Sequence, residues 1–140
     1  MNGRFFLDTN VFVYSLDANS RAKAGRAAEL IRRAIGTRKG VVSFQVAQEF
    51  FNVALRRFAQ PMTLVEAEQY LFTVFRPLLA IHSSQALYAD ALHLFGSHRL
   101  SWYDALIVAA AVQGECEVLY SEDLQHGRRF ESLRIENPFL

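Results

Sequence analysis

The sequence is poor in several residue types, and each shortage narrows what the chain can be. It has one cysteine, Cys116, so it cannot form an internal disulfide, and a reducing compartment is expected. Its longest uncharged apolar run, Ala105 to Val112, is too short to cross a bilayer. The opening Met-Asn-Gly-Arg leads straight into a strand-like stretch, without an apolar h-region and small-residue cleavage site, so a cytoplasmic protein is expected. No Cys/His cluster offers a zinc site. Lysine is scarce: only Lys23 and Lys39 occur, and the other cationic residues are arginines. The net charge of +1 makes no bulk case for a nucleic-acid partner. Arginine does suit phosphate, because its planar fork donates two parallel hydrogen bonds, although an arginine-rich solvated surface accounts for the same composition.

What is present is globular. Half the residues are hydrophobic and 21% are charged, and 140 residues make about one domain, taken here as residues 1–140. Short apolar runs at Phe5–Leu7, Gly40–Phe44, Leu78–Ile81 and Glu117–Tyr120 read as buried strands, and Leu133–Pro138 as a last short one. Between them lie helical patterns: one or two turns over Val11–Leu16, a helix capped by Ser20 and ending near Gly36, and another from Gln45 to Phe58. Thr63 and Glu66 have capping-box spacing and open a helix to about Phe75. Ser83 or Ser84 caps a helix to about Arg99, and Ser101 opens another over Trp102–Gly114. Strands alternating with helices in this way predict an α/β domain whose strands pair in parallel through right-handed crossovers. In such sheets ligands sit outside the carboxyl ends of the strands.

Four acids lie near those ends. Asp8 follows the first strand, and Asp123 lies just past the fourth. Glu49 is about one turn into the helix after the second strand, and Asp104 is in the first turn of a helix that is otherwise apolar on every side. Each has a plain structural reading: helix cap for Asp8 and Asp104, exposed glutamate for Glu49, turn residue for Asp123, with Glu122 competing for any role of Asp123. Taken together they can converge on one sheet edge. Gathered carboxylates repel and raise one another's pKa, and a hard divalent cation resolves the repulsion. Mg²⁺ and Mn²⁺ prefer oxygen ligands, and carboxylate-held ions in α/β domains commonly serve phosphodiester chemistry by activating water.

Phe-Leu-Asp-Thr-Asn-Val, an interior Gln-Glu-Phe, Ser-x-x-Asp-Ala-Leu-Ile-Val-Ala-Ala-Ala and Leu-Tyr-Ser-Glu-Asp-Leu-Gln-His-Gly together resemble PIN domains of the VapC type, the toxin nucleases of type II toxin–antitoxin pairs. The resemblance runs from the first strand to Gly127. It implies a three-layer α/β/α fold with a central, mainly parallel sheet of four or five strands. It maps the family's acidic quartet onto Asp8, Glu49, Asp104 and Asp123, as catalytic residues and metal ligands, with Asn10 and Ser121 as supporting polar positions. It implies RNA cleavage dependent on one or two Mg²⁺ or Mn²⁺ ions, leaving a 5′-phosphate and a 3′-hydroxyl. A homodimer and a small antitoxin partner are implied too, and no membrane.

Two other readings are open on the residues alone. Asp8 could be the nucleophile of a phosphohydrolase, although the second Asp such enzymes often carry two residues on is here Asn10 and no lysine is well placed. A non-catalytic nucleic-acid-binding module of the same fold is the other. Arg56, Arg57, Arg99, Arg128 and Arg129 are candidates for backbone contacts. RNA loops could stack on exposed Tyr or Trp; Trp102 and Tyr103, directly before Asp104, are expected rather to pack in the core. Two apolar stripes, Leu30, Ile31 and Ile35 on one helix and Tyr70, Leu71, Val74 and Phe75 on another, are expected either to form part of a groove for an amphipathic antitoxin segment or to pack on the core or a second copy.

Overall fold

A computed structural model describes residues 2–140. Six strands form one sheet: β1 (Phe5–Leu7), β2 (Gly40–Ser43), β3 (Leu79–Ile81), β4 (Val118–Tyr120), β5 (Arg129–Phe130) and β6 (Leu133–Glu136). Six helices connect them: α1 (Thr9–Ser15), α2 (Arg21–Thr37), α3 (Phe44–Ala54), α4 (Leu64–Tyr70), α5 (Gln85–Ser97) and α6 (Trp102–Gln113). The strand order is β3-β2-β1-β4-β6-β5, parallel throughout except for β5 against β6. The sheet exceeds the expected four or five strands because Arg129–Phe130 folds back antiparallel on β6. Two residues are too few to show the alternation that marks a strand in sequence.

The chain steps from β1 to β2 to β3 in one direction, then crosses back to β4 on the other side of β1. Right-handed crossovers therefore put α1–α4 on one face and α5 and α6 on the other, giving three layers. The packing agrees: α1 lies against α2 and α3, while α5 and α6 pack together. The direction of winding reverses between β1 and β4, and that reversal opens a crevice at their carboxyl ends. β1 is buried at all three positions and β2 at all four, which explains their unbroken apolar runs. α6 is covered from Ala105 to Ala111, as its all-round apolar surface requires.

Helix boundaries follow local chemistry. Thr63 and Glu66 form the full reciprocal capping box. Beyond Tyr70 that helix continues as a π-helical turn, Leu71–Phe75, which sinks Phe75 among Phe12, Phe50 and Phe51. Ser84, not Ser83, caps α5. α3 stops at Ala54, short of Phe58 and Pro61. Of the two expected partner stripes, Leu30 and Ile31 are core residues, as is Phe75, and Ile35, Tyr70, Leu71 and Val74 pack against that core. Both stripes therefore pack at least in part on the core. The large apolar groups exposed at the ends of α1 and α3 and along the α4 segment include Leu16, Leu55, Leu64, Val65 and Phe72. Cys116 is buried and its thiol is pushed up to about 12 by desolvation, so it has no thiolate chemistry near neutral pH. Among the described residues no helix is long and apolar enough to cross a membrane.

Candidate functional site

The crevice between β1 and β4 is built by the Asp-Thr-Asn segment and the Ser-Glu-Asp segment. The Asp8 N–H donates to the Tyr120 carbonyl at 3.0 Å, carrying the parallel pairing to the last residue of β4. Asp8 is therefore fixed at the strand end, 5% exposed. It caps α1: its Oδ1 accepts from the Thr9 N–H at 2.7 Å. Its Oδ2 accepts from the Ser121 hydroxyl at 2.8 Å. That same Ser121 oxygen accepts from the backbone N–H of Asp123 at 3.2 Å and of Leu124 at 3.4 Å, so one fully buried serine ties the β4 turn to Asp8.

Thr9 makes the next link. Its hydroxyl donates to Glu49 Oε1 at 2.7 Å, and the Gln45 amide, one turn earlier on α3, lies 3.4 Å from Glu49 Oε2. Glu49 is half-buried and points into the site rather than lying on a free polar face. Asp104 sits in the first turn of α6, where its N–H is capped by the Ser101 hydroxyl at 3.1 Å, leaving its carboxylate free of that role.

The electrostatics connect the four. Burial drives the Asp8 carboxyl up to about 7; bonds from Ser121 and Thr9 pull it down, and the charges of Asp123 and Glu49 push it further up. Asp123, although exposed, is also raised, first by partial desolvation and then by the charges of Asp104 and Glu122. Glu49, Asp8, Asp123 and Asp104 thus form a chain of mutually repelling neighbours. They are not a closed cage: among the described residues no three His, Cys, Asp or Glu side chains stand ready around one ion.

Asn10 has both side-chain polar atoms buried with no hydrogen bond of normal geometry, yet it lies close enough to Asp123 to pull that carboxyl partly back. Neither atom therefore bonds to the backbone of the turn after Asp8. A buried amide without partners beside a line of acids is an unmet demand for ligands. The ligating atoms are all oxygens, no Lys or Arg among the described residues pairs with Asp8, and Mg²⁺ takes only one or two carboxylates directly while keeping several waters, so the residues fit a hard divalent ion.

Glu122, the competitor of Asp123, is spent elsewhere. It accepts from Lys23 Nζ at 2.7 Å and from the Tyr14 hydroxyl at 2.5 Å, and these bonds hold its carboxyl below the usual range. Thr9 and Gln45 are the functional side chains that sequence reasoning passed over. Gln45 stands four residues before Glu49, the helical spacing that could have disclosed it. Tyr103 also departs from expectation: Trp102 packs on the core, but Tyr103 is 63% exposed beside Asp104.

A doubly wound sheet with acids gathered at its switch point defines the class: an α/β domain with an oxygen-rich site on its strand ends. Residues 5–130 match the PIN domain family, and the chain belongs to that family. No curated protein matches it. Among solved structures, one described as a toxin–antitoxin complex from Klebsiella pneumoniae is similar, with a TM-score of 0.66, 18% identity, and coverage of 95% of this chain and 96% of that one. The VapC20 toxin of Mycobacterium tuberculosis, described as cleaving the sarcin-ricin loop, gives a TM-score of 0.62 and 17% identity over 84% and 88% of the two chains. A FitAB structure bound to a DNA fragment gives 0.69 and 16% over 97% and 96%. At these identities they share the fold.

Proposed function

We propose that this chain is a divalent-metal-dependent endoribonuclease, the toxin half of a toxin–antitoxin pair, that works in the cytoplasm. The observation that carries the reading is Asp8: a carboxylate at the switch point, buried and surrounded by acids, yet held in place by two dedicated donors. A fold maintains so unfavourable a group where a cation is to be bound. The toxins and toxin complexes that share the fold make RNA the first substrate class to test and a small antitoxin the first partner; a homodimer is the expected state.

In this reading Asp8, Glu49, Asp104 and Asp123 hold the ion or its waters, and Ser121, Thr9 and Asn10 orient them. Mg²⁺ or Mn²⁺ bound there would lower the pKa of a water and offset charge on the phosphodiester. The reaction is hydrolysis: a water oxygen bonds to phosphorus, the bond to the 3′-oxygen breaks, and the water's proton ends on that oxygen, giving a 5′-phosphate and a 3′-hydroxyl. Asp8 keeps its place through both hydrogen bonds, and Ser121 couples it to the loop that carries Asp123.

Single-stranded RNA incubated with the protein and Mg²⁺ or Mn²⁺ should be cut, and chelator should stop the cutting. Undiminished cutting in chelator, or none with either ion, rejects the proposal. Glu122→Gln should cut at about the wild-type rate, because Glu122 is bound to Lys23 and Tyr14; Asp123→Asn should be clearly slower. The opposite order would move the fourth acid's role from Asp123 to Glu122.

A further inference from the structure

Beside the acids lies a cleft of about 210 Å³. It opens between the carboxyl ends of β2 and β3 and the first turns of α3, α5 and α6. Pockets for drug-sized ligands run to roughly 300–1,000 Å³, so this one suits a single ring system. Its lining includes Ser43, Gln45, Gln48, Tyr88, Trp102 and Tyr103, and no charged residue lines it. A phosphate or a carboxylate would find no countercharge there. A flat, neutral, hydrogen-bonding group finds everything it needs.

Three observations give the cleft that character independently. The rings of Tyr88 and Trp102 meet edge to face at 6.1 Å and 71°, and Tyr88 and Tyr103 are 46% and 63% exposed, an unusual concentration of uncovered aromatic surface. Ser43 is only 3% exposed, and its buried hydroxyl has no hydrogen-bond partner, although it sits at the α3 N-cap position where a serine would ordinarily bond to the helix. Gln45 forms the partition between cleft and acids, with its amide 3.4 Å from Glu49 Oε2 and 3.3 Å from the Tyr103 carbonyl.

We propose that this cleft receives one unpaired nucleobase of a single-stranded RNA, turned out of the strand next to the bond that the acids address. The inference rests on the RNA-cleaving reading above and adds to it where sequence preference arises. Unpaired bases are recognised by stacking on aromatic side chains and by hydrogen bonds to their edges. Tyr88, Trp102 and Tyr103 supply the ring surface; Gln45, Gln48 and the idle hydroxyl of Ser43 supply donors and acceptors for the base edge. Because Tyr103 precedes Asp104 and Gln45 touches Glu49, the seated base fixes which phosphodiester lies over the acids.

Trp102 is the chain's only tryptophan, so its emission reports this cleft alone. The test uses Asp8→Asn, which should cut too slowly to matter over the titration, with Mg²⁺ and a fluorescently labelled single-stranded RNA whose cleavage by the wild type has been mapped. Affinity is read by anisotropy and cleft occupancy by Trp102 emission. Binding should quench Trp102. One abasic position beside the mapped cut should remove the quenching and weaken binding about tenfold, and abasic positions elsewhere should do little. Tyr88→Ala should weaken binding by a similar factor. Ser43→Ala, which breaks no existing hydrogen bond, should melt with the wild type and change the preference among bases at that one position. Binding with unaltered Trp102 emission, or quenching that abasic positions leave unchanged, overturns the cleft assignment and leaves the nuclease reading standing. A protein that neither binds RNA nor cuts it as wild type overturns both.

Discussion

Asp8→Asn is expected to lose RNA cleavage by about 10²–10³-fold or more and yet to melt at a higher temperature than the wild type at pH 8 in chelator. Both effects come from the same carboxylate. In the folded chain its pKa stands at about 7, against 3.8 in the ordinary state, because burial and neighbouring acids disfavour the charge. The proton is thus bound more tightly in the folded state. Stability is whole below about pH 4, declines as the pH rises through about 7, and is level above that. That displacement corresponds to on the order of 4 kcal/mol at most at pH 8. Asparagine carries no charge to bury and is still an acceptable helix cap. The Ser121 oxygen already accepts from the Asp123 and Leu124 N–H groups, so its hydroxyl loses an acceptor, which offsets part of the gain.

The stabilisation should therefore fade as the pH is lowered toward 4, where the wild-type carboxyl is protonated anyway. Added Mg²⁺ should raise the melting temperature of the wild type and leave that of Asp8→Asn nearly unmoved. Melting curves at pH 4.5 and 8, with and without the ion, check the whole set. A stability difference that does not change with pH would show that Asp8 is not the strained group, and cutting at the wild-type rate would remove it from the site.

Gly40→Ala should unfold the protein at a much lower temperature, for a reason unconnected with the site. A Cβ added at Gly40 would stand 2.1 Å from the Ala34 Cβ and 2.7 Å from its Cα. Here α2 lies directly on the start of β2, and glycine is the only residue that fits beneath it. Neither partner can yield freely: Gly40 is paired with Phe5 in the sheet, and the Ala34 backbone belongs to the last turn of a 17-residue helix. Overpacking of this kind costs about 1–3 kcal/mol and more when backbone must move, so a fall in Tm on the order of 10 °C is expected. Adding Ala34→Gly removes the 2.1 Å clash and leaves the 2.7 Å one. The double variant should recover part of the loss, less about 1 kcal/mol for glycine inside a helix. Thermal melts of the two single variants and the double decide it; Gly40→Ala melting within about 2 °C of wild type would mean that α2 moves away freely.

Much of this architecture is legible in the residues. Phe5–Leu7 and Gly40–Ser43 are unbroken apolar runs because both faces of a central parallel strand are covered. Thr63 and Glu66, and Ser101 before Trp102, announce helix starts because capping is a bond between near neighbours in the chain. For the same reason the sequence disclosed that acids follow the strands, since which residue ends a strand is a local matter. β5 was illegible: its pairing depends on β6 and not on any pattern of its own. So was the role of Thr9, whose partner Glu49 lies 40 residues away, whereas Gln45 stands a single helical turn before Glu49 and its spacing is legible.

By itself, then, the sequence determined the order of strands and helices, the buried strands, the caps and the placing of acids near the strand ends, all of them consequences of short-range periodicity and hydrogen bonding. Only the tertiary structure decided that β1 and β4 lie side by side, that Ser121 reaches Asp8 across 113 residues, that Lys23 and Tyr14 bind Glu122, and that an uncharged aromatic cleft adjoins the acids. The physical reason is the same in each case. Contacts between distant parts of a chain are set by how helices cover a sheet, and the burial that shifts the Asp8 carboxyl exists only once that covering is complete.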